Sequence, residues 1–566
     1  MAAPLHENGM AIVVSAIGLC AKRLGQRGLA VTQVRQRDLA VTALVVSCVF
    51  VAPSPQGLII HPPQIHETPP VEDLKSFHLS FLDQNAVRVY TQTLCIFPFP
   101  NQNNAEAAIH ALDDGLHLTV QKFPFLAGIL SLACERSGRL QLRYPANVAS
   151  RQAIEGLFAA KQILMDDFPH PYDELKRAGM PPSAFKSATF LPDDFTNFPG
   201  VPANGEGLCD FGKSDAPVMR VQACFIPGGL VLSIYIHHSV LDFHGISTFW
   251  ESLAANVSRV AQMHGTRNLE PVPPSVADYQ SSLRVKLDER VSCDKVQHAS
   301  ADCYCDGVFP YKKTLPADTE CTQRLFVMPA ARIREYRERL RPHLPASSSP
   351  TLCNVLAALV WTHVTRARAA RLTKHGYAET NCGVATDLRR RWQPPVGADY
   401  TGNCALFSKS TAEISDLTAE ECVTDKTILH VIKKIKSTIT GVNNDWIDRH
   451  FAFFKGIGKI EDTECALALK FGSDCYITSW LNFGADYCWG IPGTDLADGS
   501  LGGRPEFIRR AYGPGDGGII FLPRRRHIAN DVEAPFEILV RLAKEDMDRV
   551  LKEDGGLCSW SEAVVL

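Results

Sequence analysis

The sequence predicts a mixed α/β protein in two domains, and three observations carry that prediction. At 566 residues the chain exceeds what one hydrophobic core normally supports. From Phe77 onward, short β-branched runs alternate with segments of helical spacing in both halves. Between about 264 and 322 the periodicity lapses, with P-V-P-P at 271 to 274, over a length that usually crosses between domains or lines a functional cleft. The boundary is placed at 315, giving domains over 71–315 and 316–566 after an N-terminal extension of 1–70.

The extension does not read like the rest. It carries Lys22, Arg23, Arg27, Arg35 and Arg37 against only Glu7 and Asp38, then an apolar run from Leu39 to Ala52. That run is shorter than the roughly 20 residues that span a bilayer, and the chain holds no better candidate. Glu7 precedes the apolar part and the basic cluster sits late, which is not the layout of a secretory signal. A poorly ordered extension on a cytoplasmic protein, or non-native sequence from a wrong start site, is expected, with an organelle-targeting leader as the alternative.

In the first domain, V-R-V-Y-T-Q-T-L-C-I-F-P-F-P at 87–100 reads as a strand stopped by Pro98 and Pro100. Ala105 to Leu118 has helical spacing, with Ile109, Leu112 and Leu116 on one face and Asn104 as its cap. F-P-F-L-A-G at 123–128 leads into a short strand, and Gly138 separates strands around Leu130 and Leu140. Residues 165–214, rich in Pro, Asp, Gly and Phe, read as irregular surface with short elements. The runs V-M-R-V-Q-A-C-F-I and L-V-L-S-I-Y-I flank P-G-G at 227–229, a hairpin signal. A helix is expected from Ile246 to Met263, with Phe249, Leu253 and Val257 turned inward.

The second domain opens with a strand Arg324 to Met328 and a helix Ala330 to Arg341. A well-capped helix follows from Thr351, burying Val355, Leu359 and Trp361. Strands are expected at Cys382 to Thr386 and Cys404 to Lys409, helices at Ile428 to Thr440 and Trp446 to Phe454, and strands near Ala511 and Ile519. The segment Phe536 to Ala543 leads to a final helix Glu545 to Lys552. No repeat of 20 to 50 residues is present.

Composition narrows the function classes. The 58 basic and 61 acidic residues leave a net charge of −3 without a long basic block, which argues against a nucleic-acid partner. The 18 cysteines are scattered singly and form no C-x-x-C, so no metal site is expected and the thiols are read as reduced.

Chemistry concentrates in Leu230 to Trp250, where an apolar strand ends in His237 and His238 and a turn brings in Asp242 and Gly245. A strand that delivers an imidazole to its own end places a base at the rim of a sheet. Read alone, H-x-x-x-D is weak among 18 histidines, and two strand-end histidines bonded to nearby carbonyls remain the competing reading. Distant companions change the balance: Y-T-G-N at 400–403, T-S-W at 478–480 and D-Y-C-W-G at 486–490. Weaker signals fall in order beside them, namely L-x-x-x-D-Q near 84, F-P-F-L-A-G at 123, P-V-x-x-V-Q at 217 and A-x-V-W-x-x-x-x-R-A-R at 358.

This set, over about 75 to 560, resembles the BAHD acyltransferases, in particular the fungal branch like trichothecene 3-O-acetyltransferase. The resemblance implies a chloramphenicol-acetyltransferase-like fold of two α/β domains with an active-site channel between them, in a monomer without a membrane span. It implies acyl-CoA as co-substrate, no permanently bound cofactor, and a small, partly apolar metabolite as acceptor. His238 would be the general base, with Thr478 and Trp480 near the thioester carbonyl. Asp242 would form a salt bridge with Arg389 of D-L-R, and Asp486, Trp489 and Gly490 would support the site; no residue is assigned to the cofactor moiety itself.

The chain departs from the family pattern in three places. Tyr487 and Cys488 stand for the usual Phe and Gly, the spacer from Trp480 to Asp486 is short, and Phe243 follows the aspartate where many relatives have Gly. Cysteine for glycine adds a side chain where the backbone could need freedom. Two other classes compete: a condensation-like enzyme of the peptide-synthetase type, and a non-catalytic binder on the same fold. Phe243 and D-Y-C-W-G favour the stand-alone acyltransferase over the condensation reading.

Overall fold

The computed structural model describes residues 73–202, 207–263, 274–291, 301–345, 349–494, 499, 501–526 and 533–566, all within one compact unit, Pro62–Leu566. The expectations for 1–70 lie outside the described residues. Two sheets dominate. The first has five strands in the order Phe507–Arg509, Tyr90–Pro98, Gly229–His237, Met219–Ile226 and Phe158–Gln162. Tyr90–Pro98 and Gly229–His237 pair antiparallel with Tyr90 opposite His237. Alternate side chains leave opposite faces of a strand: Cys95 and Phe97 enter one core, and Leu94 and Ile96 another. Because both faces are covered, the three central strands are buried nearly throughout, the polar Gln92, Thr93, Gln222 and Ser233 included.

Helices Ala105–Lys122 and Phe243–Gln262 cover one face and pack on each other, with Gly115 against Val257. The other face is covered by Phe168, Tyr172, Phe185 and Phe190. This corrects the reading of 165–214 as surface: its short helix Tyr172–Arg177 and the aromatics around it form a buried layer. Asn104 precedes the helix as expected but makes no side-chain cap; Asn101 caps the preceding turn instead.

The second sheet has seven strands, in the order Ala405–Glu413, Glu379–Asp387, Cys475–Ser479, Gly518–Phe521, Phe536–Ala543, Cys321–Met328 and Ala563–Val565. Cys475–Ser479 lies at its interior, parallel to both neighbours. Helix Leu352–Lys374 is buried on nearly every side against this sheet, and Thr351 starts it with a reciprocal cap to Asn354. Two pairings join distant parts of the chain: Phe507–Arg509 with Tyr90–Pro98, and Tyr304–Asp306 with Thr463–Cys465. The expected strand near Ala511 is this shorter Phe507–Arg509 element, an edge strand whose pairing partner lies some four hundred residues earlier. Among the described residues no helix is long and apolar enough to cross a membrane.

Candidate active site

Strand Gly229–His237 ends one residue before His238, whose backbone N–H still donates to Val89 O at 2.8 Å. The helix that follows begins at Phe243, three residues earlier than its hydrophobic spacing suggests. The reason is Asp242, the N-cap, whose Oδ1 accepts from Gly245 N at 3.0 Å. A Cβ on Gly245 would run into the Thr401 carbonyl oxygen, so glycine there lets Y-T-G-N lie directly against the first turn of the helix.

The adjacent histidines carry their protons on opposite nitrogens. His237 Nδ1 accepts from Ser239 N at 3.2 Å, and a backbone amide can only donate, so the proton of His237 is on Nε2. That N–H is buried with no acceptor among the described residues, between the rings of Tyr90 and Phe211. His238 is half-buried, and its Nδ1 lies 3.1 Å from Asn403 Oδ1. Asn403 Nδ2 donates to His238 O at 2.8 Å and to Asp83 Oδ1 at 2.9 Å. The proton of His238 is therefore on Nδ1, and the lone pair is on Nε2.

Burial, followed by the neighbouring His238 and Arg88, lowers the pKa of His237 to about 3. An unfolded histidine titrates near 6.5, so between about pH 6.5 and 3 the unfolded chain holds the extra proton. Stability from keeping His237 neutral is complete above pH 6.5 and is lost as the pH falls. From pH 7.5 to 4.5 the loss is on the order of 2–3 kcal/mol. The unfolding free energies from urea titrations at these two pH values should differ by that much less in His237→Asn; an equal acid loss in both proteins would remove His237 as its source.

Asp242 does not face the imidazole of His238. Its carboxylate accepts from Arg389 Nη1 at 2.9 Å and Nη2 at 3.0 Å, and from Cys404 N at 3.0 Å. Arg389 spends its other donors on Tyr400 O, Gly402 O and Asp387 Oδ1, which satisfies all five N–H groups. Burial works against the charge of Asp242, but Arg389 and the two amides outweigh it and hold the carboxyl below its ordinary range. Burial likewise opposes the Arg389 cation, and Asp242 more than compensates.

Thr478 is half-buried on Cys475–Ser479, level with Ile520 of the next strand, and Trp480 follows the strand end with its backbone N–H on Phe521 O at 2.8 Å. The two side chains, two residues apart, leave the same face. Phe243 stacks on the Trp480 ring at 4.1 Å and 11°, so the residue after Asp242 joins the helix of the first sheet to the strand end of the second. Among the described residues the Trp480 indole N–H has no acceptor.

D-Y-C-W-G packs on the first sheet and its helix. Asp486 accepts from Arg526 N at 2.9 Å, Tyr487 Oη meets Ser247 Oγ at 2.9 Å, and Trp489 lies edge-on to Phe97. Gly490 has φ +54 against Ser258, a conformation and clearance that suit glycine. Cys488 does not adopt a left-handed backbone, and its exposed thiol donates to Gly502 O at 3.0 Å. The freedom that a glycine would supply is not required at 488.

Sequence reasoning assigned no role to Asp83, Arg284 or Asn403. Asp83 and Asn403 stood within quoted motifs, but Arg284 lies in no motif, and only the fold brings it to Asp83.

Comparison with known proteins makes the chain an acyltransferase of the CoA-dependent class. A profile of the Transferase family matches residues 208–553, and one of the trichothecene 3-O-acetyltransferase-like N-terminal domain matches 89–256. The chain belongs to the Transferase family. It is 25% identical to trichothecene 8-O-acetyltransferase of Fusarium sporotrichioides, over 85% of this chain and 97% of that one. It is 23% identical to trichothecene 3-O-acetyltransferase TRI101 of the same organism, over 82% and 92%. Its fold is that of F. graminearum TRI101 solved with coenzyme A and deoxynivalenol, with a TM-score of 0.66, 18% identity and coverage of 87% and 99%. Vinorine synthase shares the fold at a TM-score of 0.52 and 16% identity, over 87% and 96%.

Proposed function

We propose that the protein moves an acyl group, acetyl in the first instance, from acyl-CoA to a hydroxyl or amine of a small, partly apolar metabolite, with His238 as the general base. The observation that supports this most is the arrangement at His238: Nδ1 is engaged by Asn403, which leaves Nε2 as a lone pair at the end of a strand. The relatives named for acetylation of trichothecene hydroxyls, and the TRI101 structure holding coenzyme A with deoxynivalenol, support the substrate classes.

On this reading Nε2 takes the acceptor proton as the hydroxyl or amine attacks the thioester carbonyl. The oxyanion is met by the Thr478 hydroxyl and the Trp480 N–H, then collapses and expels the thiolate, which recovers the proton from the imidazolium. Asp242 and Arg389 hold the turn and Y-T-G-N together without touching substrate. Asp486, Trp489 and Gly490 keep their loop on the helix that begins beside the base. The chain divides functionally near 315, with H-x-x-x-D before it and T-S-W after it, in a cytoplasmic monomer.

The direct test is release of free thiol from acetyl-CoA and longer acyl-CoAs against a panel of small alcohols and amines, with the product read by mass shift. Acceptor-dependent release is expected. Release no faster than the acceptor-free rate with every donor would overturn the reading in favour of a binder.

A further inference from the structure

We propose that Asp83 is a positioning residue for the base: acting through Asn403, its carboxylate keeps the proton of His238 on Nδ1 and Nε2 open to the acceptor. The inference rests on His238 being the base and adds a residue to that site.

Asp83, at 0% exposure, lies in the short helix Phe81–Asn85, which Ser80 caps in both directions. A carboxylate only accepts hydrogen bonds. Asp83 Oδ1 receives Asn403 N at 2.8 Å and Asn403 Nδ2 at 2.9 Å, so the amino end of the Asn403 amide must face it. The second hydrogen of that amino group goes to His238 O at 2.8 Å, and both are used. The amide oxygen is thereby turned toward His238 Nδ1 at 3.1 Å, where it can only accept. The acceptor at 83, together with the His238 carbonyl, thus dictates an acceptor at Nδ1. Asparagine alone carries no such preference, because its two ends exchange roles when the amide turns over.

Arg284, also at 0% exposure, anchors the arrangement. Its Nε donates to Asp83 Oδ2 at 2.9 Å, and its Nη2 donates to Val240 O at 3.0 Å, within the turn that carries the base. Its guanidinium lies 4.7 Å over Phe77 and 5.3 Å over Tyr400. The cation holds Asp83 Oδ2, which leaves Oδ1 for Asn403, and ties the same assembly to the residue two places after His238.

The test is Asp83→Asn. Arg284 would draw the new amide oxygen to itself, so an amino group would confront Asn403. kcat for thiol release is expected to fall on the order of 10²-fold, with KM for acyl-CoA within a few-fold, and the nitrogen-15 imidazole signals of His238, identified by their loss in His238→Ala, should report a mixture of tautomers. Combined with Asn403→Ala, the loss should be no larger than in the worse single variant, since both act through one path. If Asp83→Asn does not fold, Asp83→Leu with Arg284→Met removes both charges together and leaves no unpaired buried charge, with the same expected loss and the same mixture. Unchanged kcat and a single Nδ1–H tautomer in the folded variant would overturn the proposal, as would additive losses in the double variant. If His238→Ala itself turns over normally, the base reading fails, and the tautomer signal still decides the role of Asp83.

Discussion

His238→Ala is expected to lower acceptor-dependent thiol release by on the order of 10²- to 10⁴-fold, the usual contribution of a positioned base, while the protein stays folded. The ring is half-buried and its hydrogen-bond partner among the described residues is Asn403. The residue is held to the first sheet by its backbone, through His238 N to Val89 O, which alanine keeps. A loss confined to kcat, with KM for acyl-CoA nearly constant, marks an interaction made in the transition state. Steady-state thiol release and a thermal unfolding scan on the same preparation separate chemistry from folding. Turnover near wild type would remove His238 from the mechanism.

Asp242→Ala is expected to destabilise the protein by on the order of 3–5 kcal/mol, the cost of breaking one end of a buried ion pair. Arg389 is 3% exposed and would lose its countercharge, and Gly245 N and Cys404 N would lose their acceptor. The yield of soluble protein should collapse, and activity with it. A well-folded Asp242→Ala protein with an altered pH profile would instead give Asp242 the orienting role of a triad carboxylate. The acid behaviour distinguishes this pair from His237. Because Asp242 titrates below its ordinary value, its stabilisation is present above about pH 3.9 and is lost only as the pH falls through the lower folded value. Acid loss between pH 6.5 and 4 that disappears in His237→Asn therefore belongs to His237, and loss below pH 4 includes Asp242.

Much of the scaffold was legible because its signals are local. Largely apolar runs bounded by Pro or Gly gave Tyr90–Pro98 and Gly229–His237, and the Thr351 cap gave the long helix of the second sheet. Where local signals failed, contact outweighed them. The start of Phe243–Gln262 is set by the Asp242 cap rather than by the first inward-facing residue. The aromatics of 165–214 lack periodicity, yet they are buried because a whole sheet face needs covering. The edge strand Phe507–Arg509 is three residues long, too short to leave a pattern.

The site divides in the same way. His238, Asp242, Arg389, Thr478 and Trp480 were named from residue types in a recognisable order, which a linear chain preserves. The face that Asp242 turns to Arg389, the stack of Phe243 on Trp480, and the path from Arg284 through Asp83 and Asn403 to His238 join residues up to several hundred positions apart. The sequence by itself determined which chemical groups are present and that an imidazole ends a buried strand. The tertiary structure decided which nitrogen of that imidazole holds the proton, because a tautomer is set by the donors and acceptors around it, and in this chain they are assembled only on folding.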